Sequence, residues 1–182
     1  MKVLLDSCVI YPTVMREVLL GVAGKGAFTP LWSARIVEEW RRAAAARLGP
    51  SGAAQAEREA IALARQWPDA EVTWPPSLEA RLWLPDPADI HVLAAAVAGS
   101  ADIIITLNAK DFPRKILADE GLSRADPDSF LLGIWQAQPG LVSDVAQDVL
   151  DTANRLSGET WQMRALMKKA RLPRLGKALV TT

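Results

Sequence analysis

Residues 84–113, LPDPADIHVLAAAVAGSADIIITLNAKDFP, decide the fold. Asp86 followed by Pro87 offers a side-chain oxygen for orphan N–H groups and then a ring whose fixed φ suits a first helical position, so a helix starts here. Ile90 to Ala98 is almost wholly apolar, which predicts a helix covered on most sides. Gly99 and Ser100 end it. Ile103, Ile104 and Ile105 form a continuous β-branched run, the pattern of a strand buried on both faces in a parallel sheet. Thr106, Asn108 and Asp111 follow at once. In open parallel sheets ligands sit beyond the carboxyl ends of the strands, which is where these three residues fall.

The start of the chain repeats the layout. Val3, Leu4 and Leu5 make a short apolar run that stops at Asp6, so two strands deliver acids to one edge. Between them, Val14, Val18, Leu19 and Val22 lie at helical spacing, and Gly24 to Gly26 closes that segment. Phe28 to Trp32 is a short apolar piece interrupted by Pro30. Ser33 can cap a helix from Ala34 to about Leu48, with Ile36, Val37 and Trp40 facing inward. Gly49, Pro50 and Gly52 separate it from a second Ala-rich stretch ending near Trp67, which predicts a helical hairpin. Pro68, Pro75, Pro76 and Pro85 mark an irregular return to the central stretch.

Beyond Pro113, residues 114–119 read as a short helix and 121–125 as a linker or weak strand. Asp126 and Pro127 repeat the cap-then-proline start before a helix to Gln136. Leu141–Leu156 and Glu159–Ala170 read as two more helices, followed by a basic, proline-containing tail. Alternating strands and helices with acids at strand ends predict an α/β fold with a parallel sheet.

At 182 residues, half of them hydrophobic, the chain can bury a sizeable core. The apolar runs fall short of the roughly 20 residues that span a bilayer, and Asp6 comes too early for a signal peptide, so a cytoplasmic protein is expected. A single cysteine, Cys8, excludes an internal disulfide and a thiolate-cage zinc site. Net charge is zero but unevenly placed: residues 69–111 hold seven acids and two bases, residues 155–177 seven bases and one acid. That asymmetry suits an acidic metal pocket and a basic surface for a polyanion.

Taken one at a time, the acids have ordinary explanations. Asp86 is a helix cap, Asp89 completes a capping-box-like pattern, Asp6 can cap the helix after the first strand, and Asp111 can be a turn residue. As a set they repel one another and need a compensating cation. Oxygen ligands without His or Cys favour Mg²⁺ or Mn²⁺, ions that support phosphodiester cleavage. Other chemistries lack an anchor: His91 is the only histidine, and neither G-x-x-x-x-G-K-[ST] nor G-x-G-x-x-G occurs. The seven Trp residues fall mostly on apolar helical faces, where packing is the first reading.

LLDSCVIYP (4–12), SARIVEEW (33–40), DPADIHVLAAA (86–96) and IIITLNAKDFP (103–113) together resemble the PIN-domain nucleases, and among them the VapC-like toxins of toxin–antitoxin pairs. The resemblance implies a three-layer α/β/α fold around a parallel sheet and a Mg²⁺- or Mn²⁺-dependent ribonuclease. It assigns Asp6, Glu39, Asp89 and Asp111 as catalytic, with Asp6, Asp89 and Asp111 on the metal. Glu38 is the alternative to Glu39. Relatives carry an acid two residues after the Thr, where this chain has Asn108, so Asn108 stands as a neutral second ligand or water holder and Thr106 as a supporting hydroxyl. Asp86 adds an outer charge.

The expected division is a nuclease domain over residues 1–138 and a C-terminal helical extension with a basic tail over 139–182, in which Lys168, Lys169 and Arg171 contact RNA. An antitoxin protein and a second copy of the chain are the expected partners, without a membrane. Two alternatives use the same fold: a catalytically silent RNA- or protein-binding module, and a structure-specific DNA nuclease.

Overall fold

The computed structural model describes residues Met1–Thr181. In chain order the elements begin with β1 (Lys2–Leu5), α1 (Ser7–Ile10), α2 (Thr13–Gly24), β2 (Thr29–Leu31), α3 (Ala34–Gln66) and α4 (Pro76–Arg81). A 3₁₀ turn (Pro87–Asp89) then leads into α5 (Ile90–Ala98), β3 (Ile103–Ile105), α6 (Arg114–Asp119) and β4 (Ser123–Ala125). Four helices complete the chain: α7 (Pro127–Ala137), α8 (Pro139–Ser157), α9 (Met163–Lys169) and α10 (Pro173–Ala178). The residues form two compact units, one of Met1–Tyr11 with Thr29–Arg124 and one of Pro12–Phe28 with Ala125–Thr182. Thr182 itself lies outside the described residues.

The strands make one parallel sheet in the order β2-β1-β3-β4, and with its helices this is the three-layer α/β/α fold expected. β1 and β3 are the inner pair, in register Val3↔Ile103, Leu4↔Ile104 and Leu5↔Ile105. Leu4, Leu5, Ile104 and Ile105 are wholly buried, each contributing about 1.5–3 kcal/mol by leaving water. Pro30 pairs with Val3 from β2, at the sheet's edge, the position where a residue without an N–H is tolerated. Because the inner strands are in register, Asp6 and Thr106 leave the sheet side by side. The Asp6 N–H still donates to the Ile105 carbonyl oxygen at 3.1 Å.

Within the first unit, α3 is the expected hairpin. Gly49 turns the chain at φ 65°, a conformation natural to glycine, and Pro50 opens the second arm. Arg41 and Glu57 pair across the arms at 2.6 Å. A Cβ on Gly52 would collide with Leu48 and the Ala44 carbonyl oxygen, so the turn requires glycine twice. Ser33 caps the first arm, its hydroxyl accepting from Ile36 N at 3.2 Å.

Three segments are more ordered than their sequence indicates. The proline-rich return contains α4, which starts on the tandem Pro75–Pro76, and a parallel bridge from Glu71 to Trp32. The stretch after Gly121 is a true edge strand, β4. In the second unit the tail folds into α10, because the Asp128 carboxylate, remote in sequence, accepts from both Arg174 N and Leu175 N at 2.9 Å. One segment is less regular than expected: α9 begins only at Met163. Asn154 Oδ1 accepts from Trp161 N at 2.6 Å and holds the preceding residues as a loop after Gly158, whose φ of 69° ends α8.

The second unit packs α2 against α8, where a Cβ on Gly21 would stand 2.5 Å from Val145 Cγ1. Phe28 and Phe130 meet edge to face with centroids 5.2 Å apart. No helix among the described residues is long and apolar enough to cross a membrane.

Candidate metal centre

The first unit collects its acids at the carboxyl ends of β1 and β3. Asp86, Asp89 and Asp111 each place a carboxylate oxygen within 4.8 Å of the others. Asp86 and Asp89 flank the 3₁₀ turn that starts α5, and Asp111 closes the turn after β3, where its N–H donates to the Asn108 carbonyl oxygen at 3.2 Å. Asp86 is the cap that Asp-Pro predicts, accepting from Ala88 N at 2.9 Å. Asp89 does not cap. Its N–H donates to the Asp86 carbonyl oxygen, but its carboxylate takes no cap bond, and Oδ2 is buried without a hydrogen-bonding partner.

Burial, then the carboxylates of Asp6, Asp86 and Asp111, push the Asp89 carboxyl up from 3.8 to about 6, against the opposing pull of His91. A half-buried acid facing three others with no donor on Oδ2 is the arrangement a cation relieves.

Asp6, only 6% exposed, is fixed by its neighbours. It too makes no side-chain cap on α1. Instead Thr106 Oγ1 donates to Asp6 Oδ2 at 2.7 Å and accepts from Asn108 N at 3.0 Å. Cys8 Sγ donates to the same Oδ2 at 3.2 Å and accepts from Leu107 N at the same distance. Burial and the Asp6 charge push the Cys8 thiol up to about 12, so it serves as a proton donor to the carboxylate rather than as a nucleophile. Asn108 turns its amide onto Asp111, Nδ2 donating to Oδ2.

The two glutamates part company. Glu38 lies on the outside of α3, paired with Arg42 at 3.0 Å and Arg41 at 3.8 Å. Glu39 turns toward the core, Oε1 lying 2.8 Å from His91 Nε2. Burial alone would raise its carboxyl, but the hydrogen bond and charge of His91, the Ser7 hydroxyl and Arg35 outweigh it and hold Glu39 below the usual range. Ser7 Oγ also stands 3.3 Å from Asp6 Oδ1, which links Glu39 to the first-strand acid. Lys168, Lys169 and Arg171 belong to the second unit, exposed at and just beyond the end of α9, where Lys169 Nζ lies 4.2 Å from the centroid of the Trp161 ring.

Ser7, Cys8 and His91 join this network without having stood out as site residues. The first two had a signal in their adjacency to Asp6. His91, completely buried and without a partner for Nδ1 among the described residues, had none, because its contact with Glu39 depends on α3 packing near α5.

The donors are all carboxylate oxygens, with one buried oxygen unpartnered, and that set fits a hard divalent ion such as Mg²⁺ or Mn²⁺. Acids gathered at the carboxyl edge of a parallel sheet make a candidate metal site on an α/β scaffold. The sequence profile of the PIN domain matches residues 2–110, more than half of the chain, and the chain belongs to the PIN domain family, whose members are generally metal-dependent nucleases. No curated protein and no solved structure matches it.

Proposed function

We propose that the protein is a Mg²⁺- or Mn²⁺-dependent endoribonuclease, the VapC-like toxin of a type II toxin–antitoxin pair, acting in the cytoplasm. The observation that carries this reading is Asp89: a carboxylate pushed up to about 6 by burial and then by three acid neighbours, with a buried oxygen that nothing among the described residues satisfies.

In this reading the ion sits among Asp86, Asp89 and Asp111, whose carboxylate oxygens lie within 4.8 Å of one another, and Asp6, whose charge acts on Asp89 from the end of β1, completes the set. A bound ion would supply Lewis acidity toward a water and toward the charge that builds on the phosphodiester. Thr106 and Cys8 fix the rotamer of Asp6 by donating to one oxygen, and Asn108 does the same for Asp111. Glu39, held ionised by His91, accepts a hydrogen bond from the attacking water and orients it. Lys168, Lys169 and Arg171 bind RNA phosphates; neutralising all three is expected to weaken RNA binding and flatten its salt dependence, measured by titration at several salt concentrations. Residues 1–138 carry the chemistry and 139–182 serve the partners, an antitoxin and a second copy of the chain.

The test is cleavage of a mixed RNA pool by purified protein with Mn²⁺ or Mg²⁺, beside EDTA, the Asp6→Asn variant and a matched DNA pool. RNA cleavage lost in both controls supports the reading. Cleavage of DNA alone makes it a DNA nuclease, and no cleavage of either makes it a binding module.

A further inference from the structure

Beside the acids lies a surface that the chemistry above does not use. An open groove of about 650 Å³ runs past Trp74, Pro76, Leu82, Pro87 and Ile90. Trp74 is only partly exposed, and its one polar atom is satisfied from within the chain: Nε1 donates to Glu79 Oε2 at 3.0 Å, while Glu79 Oε1 accepts from Arg35 Nη1 at 3.2 Å. The indole is therefore a fixed platform with an apolar ring lining the groove. Two prolines add rigid, flat walls with little side-chain entropy to lose on binding.

The groove is joined to the acids through the backbone. Pro87 follows Asp86 and Ile90 follows Asp89, so the turn that presents two of the carboxylates also forms one wall of the groove. No Lys or Arg lines it, and Glu79 does, which disfavours a phosphate in the groove and favours a neutral ring. A ligand that satisfies both neighbouring surfaces carries a planar ring at one end and a phosphodiester at the other. Stacking on a tryptophan suits any nucleobase, because every base has a π face.

We propose that this groove receives the nucleobase of the nucleotide next to the scissile phosphate in single-stranded RNA, with Trp74 as its stacking platform. The proposal rests on the nuclease reading for the phosphate's position, but the groove's preference for a base is measurable without cleavage.

The experiment compares binding of a mixed-sequence RNA hexamer and of an abasic hexamer with the same backbone, by fluorescence anisotropy in Ca²⁺, using the full chain and the Trp74→Ala, Trp74→Phe and Trp83→Ala variants. The wild-type protein is expected to prefer the base-containing hexamer about tenfold. Trp74→Ala should abolish that preference and Trp74→Phe retain most of it. Trp83→Ala, which changes an exposed tryptophan outside the groove lining, should leave it intact. Mn²⁺ affinity by calorimetry should be the same in all four proteins, which separates loss of the platform from loss of the fold.

No base preference in the wild type, or an undiminished one in Trp74→Ala, overturns the groove. RNA cleavage without base preference removes the groove and leaves the nuclease; base preference lost with Trp74, in a protein that cleaves no RNA, removes the nuclease and leaves the groove as a binding site.

Discussion

Two Asp-Pro dipeptides start helices in this chain and end in opposite roles. Asp86–Pro87 opens the turn before α5, and Asp126–Pro127 opens α7; both aspartates cap, with side-chain oxygens 2.9 Å from Ala88 N and 2.8 Å from Ser129 N. Each cap is followed shortly by a second aspartate. Asp128, 6% exposed, has both oxygens matched, by Arg174 N and Leu175 N at the start of α10. Asp89 has an unpartnered buried oxygen and three carboxylate neighbours. The same local chemistry yields a structural acid where tertiary packing supplies donors, and a metal-seeking acid where it supplies only more acids.

Substitution should split the pair. Asp128→Ala strips two backbone donors of a charged partner and is expected to lose about 3 kcal/mol in urea unfolding, with Mn²⁺ affinity unchanged. Asp89→Asn should do the reverse, stabilising the metal-free protein at pH 7 by about 1 kcal/mol once solvent screening of this half-exposed group is allowed for. The sign follows from the raised carboxyl: its contribution to metal-free stability is fully present below 3.8, where the group is protonated in both states, and is lost as pH rises through about 6. Unfolding midpoints of wild type and variant, measured without metal, should therefore coincide below about pH 3.8, separate as pH rises toward 6, and stay a constant distance apart above it.

A single stability effect, with no change in metal binding, belongs to the first cap of the second unit. Burial would raise the Asp126 carboxyl, but the Ser129 backbone and hydroxyl hydrogen bonds, its own N–H and Arg174 outweigh it and hold the group below its ordinary value. That stability is present above the unfolded value and disappears as pH falls through the folded one. Asp126→Ala is expected to cost about 1 kcal/mol at pH 7 and nothing in strong acid, read from the same unfolding curves.

Much of this was legible beforehand, for local reasons. Three consecutive isoleucines have few alternatives to a buried strand, Asp-Pro marks a helix start through its own geometry, and Gly49–Pro50 bends the hairpin where it stands. What the sequence left open depends on partners distant in the chain. α10 is capped by Asp128, 46 residues before Arg174. His91 meets Glu39 only because α3 and α5 pack within one unit, and that contact separates Glu39 from Glu38, which sequence held as alternatives. Capping preferences describe Asp89 as a helix-start acid, yet its raised carboxyl comes from burial first and then from the charges of Asp6, Asp86 and Asp111, of which Asp6 and Asp111 are brought near only by the parallel register of β1 and β3.

The most direct test is calorimetric titration of Mn²⁺ into the wild-type and Asp89→Asn proteins at pH 7, repeated at pH 5. The acids' need for a cation predicts binding by the wild type, accompanied by proton release that grows toward pH 6, an affinity that falls at pH 5 as Asp89 takes up its proton, and at least ~100-fold weaker binding by the variant. Equal binding by both proteins, or none by the wild type at either pH, would contradict it.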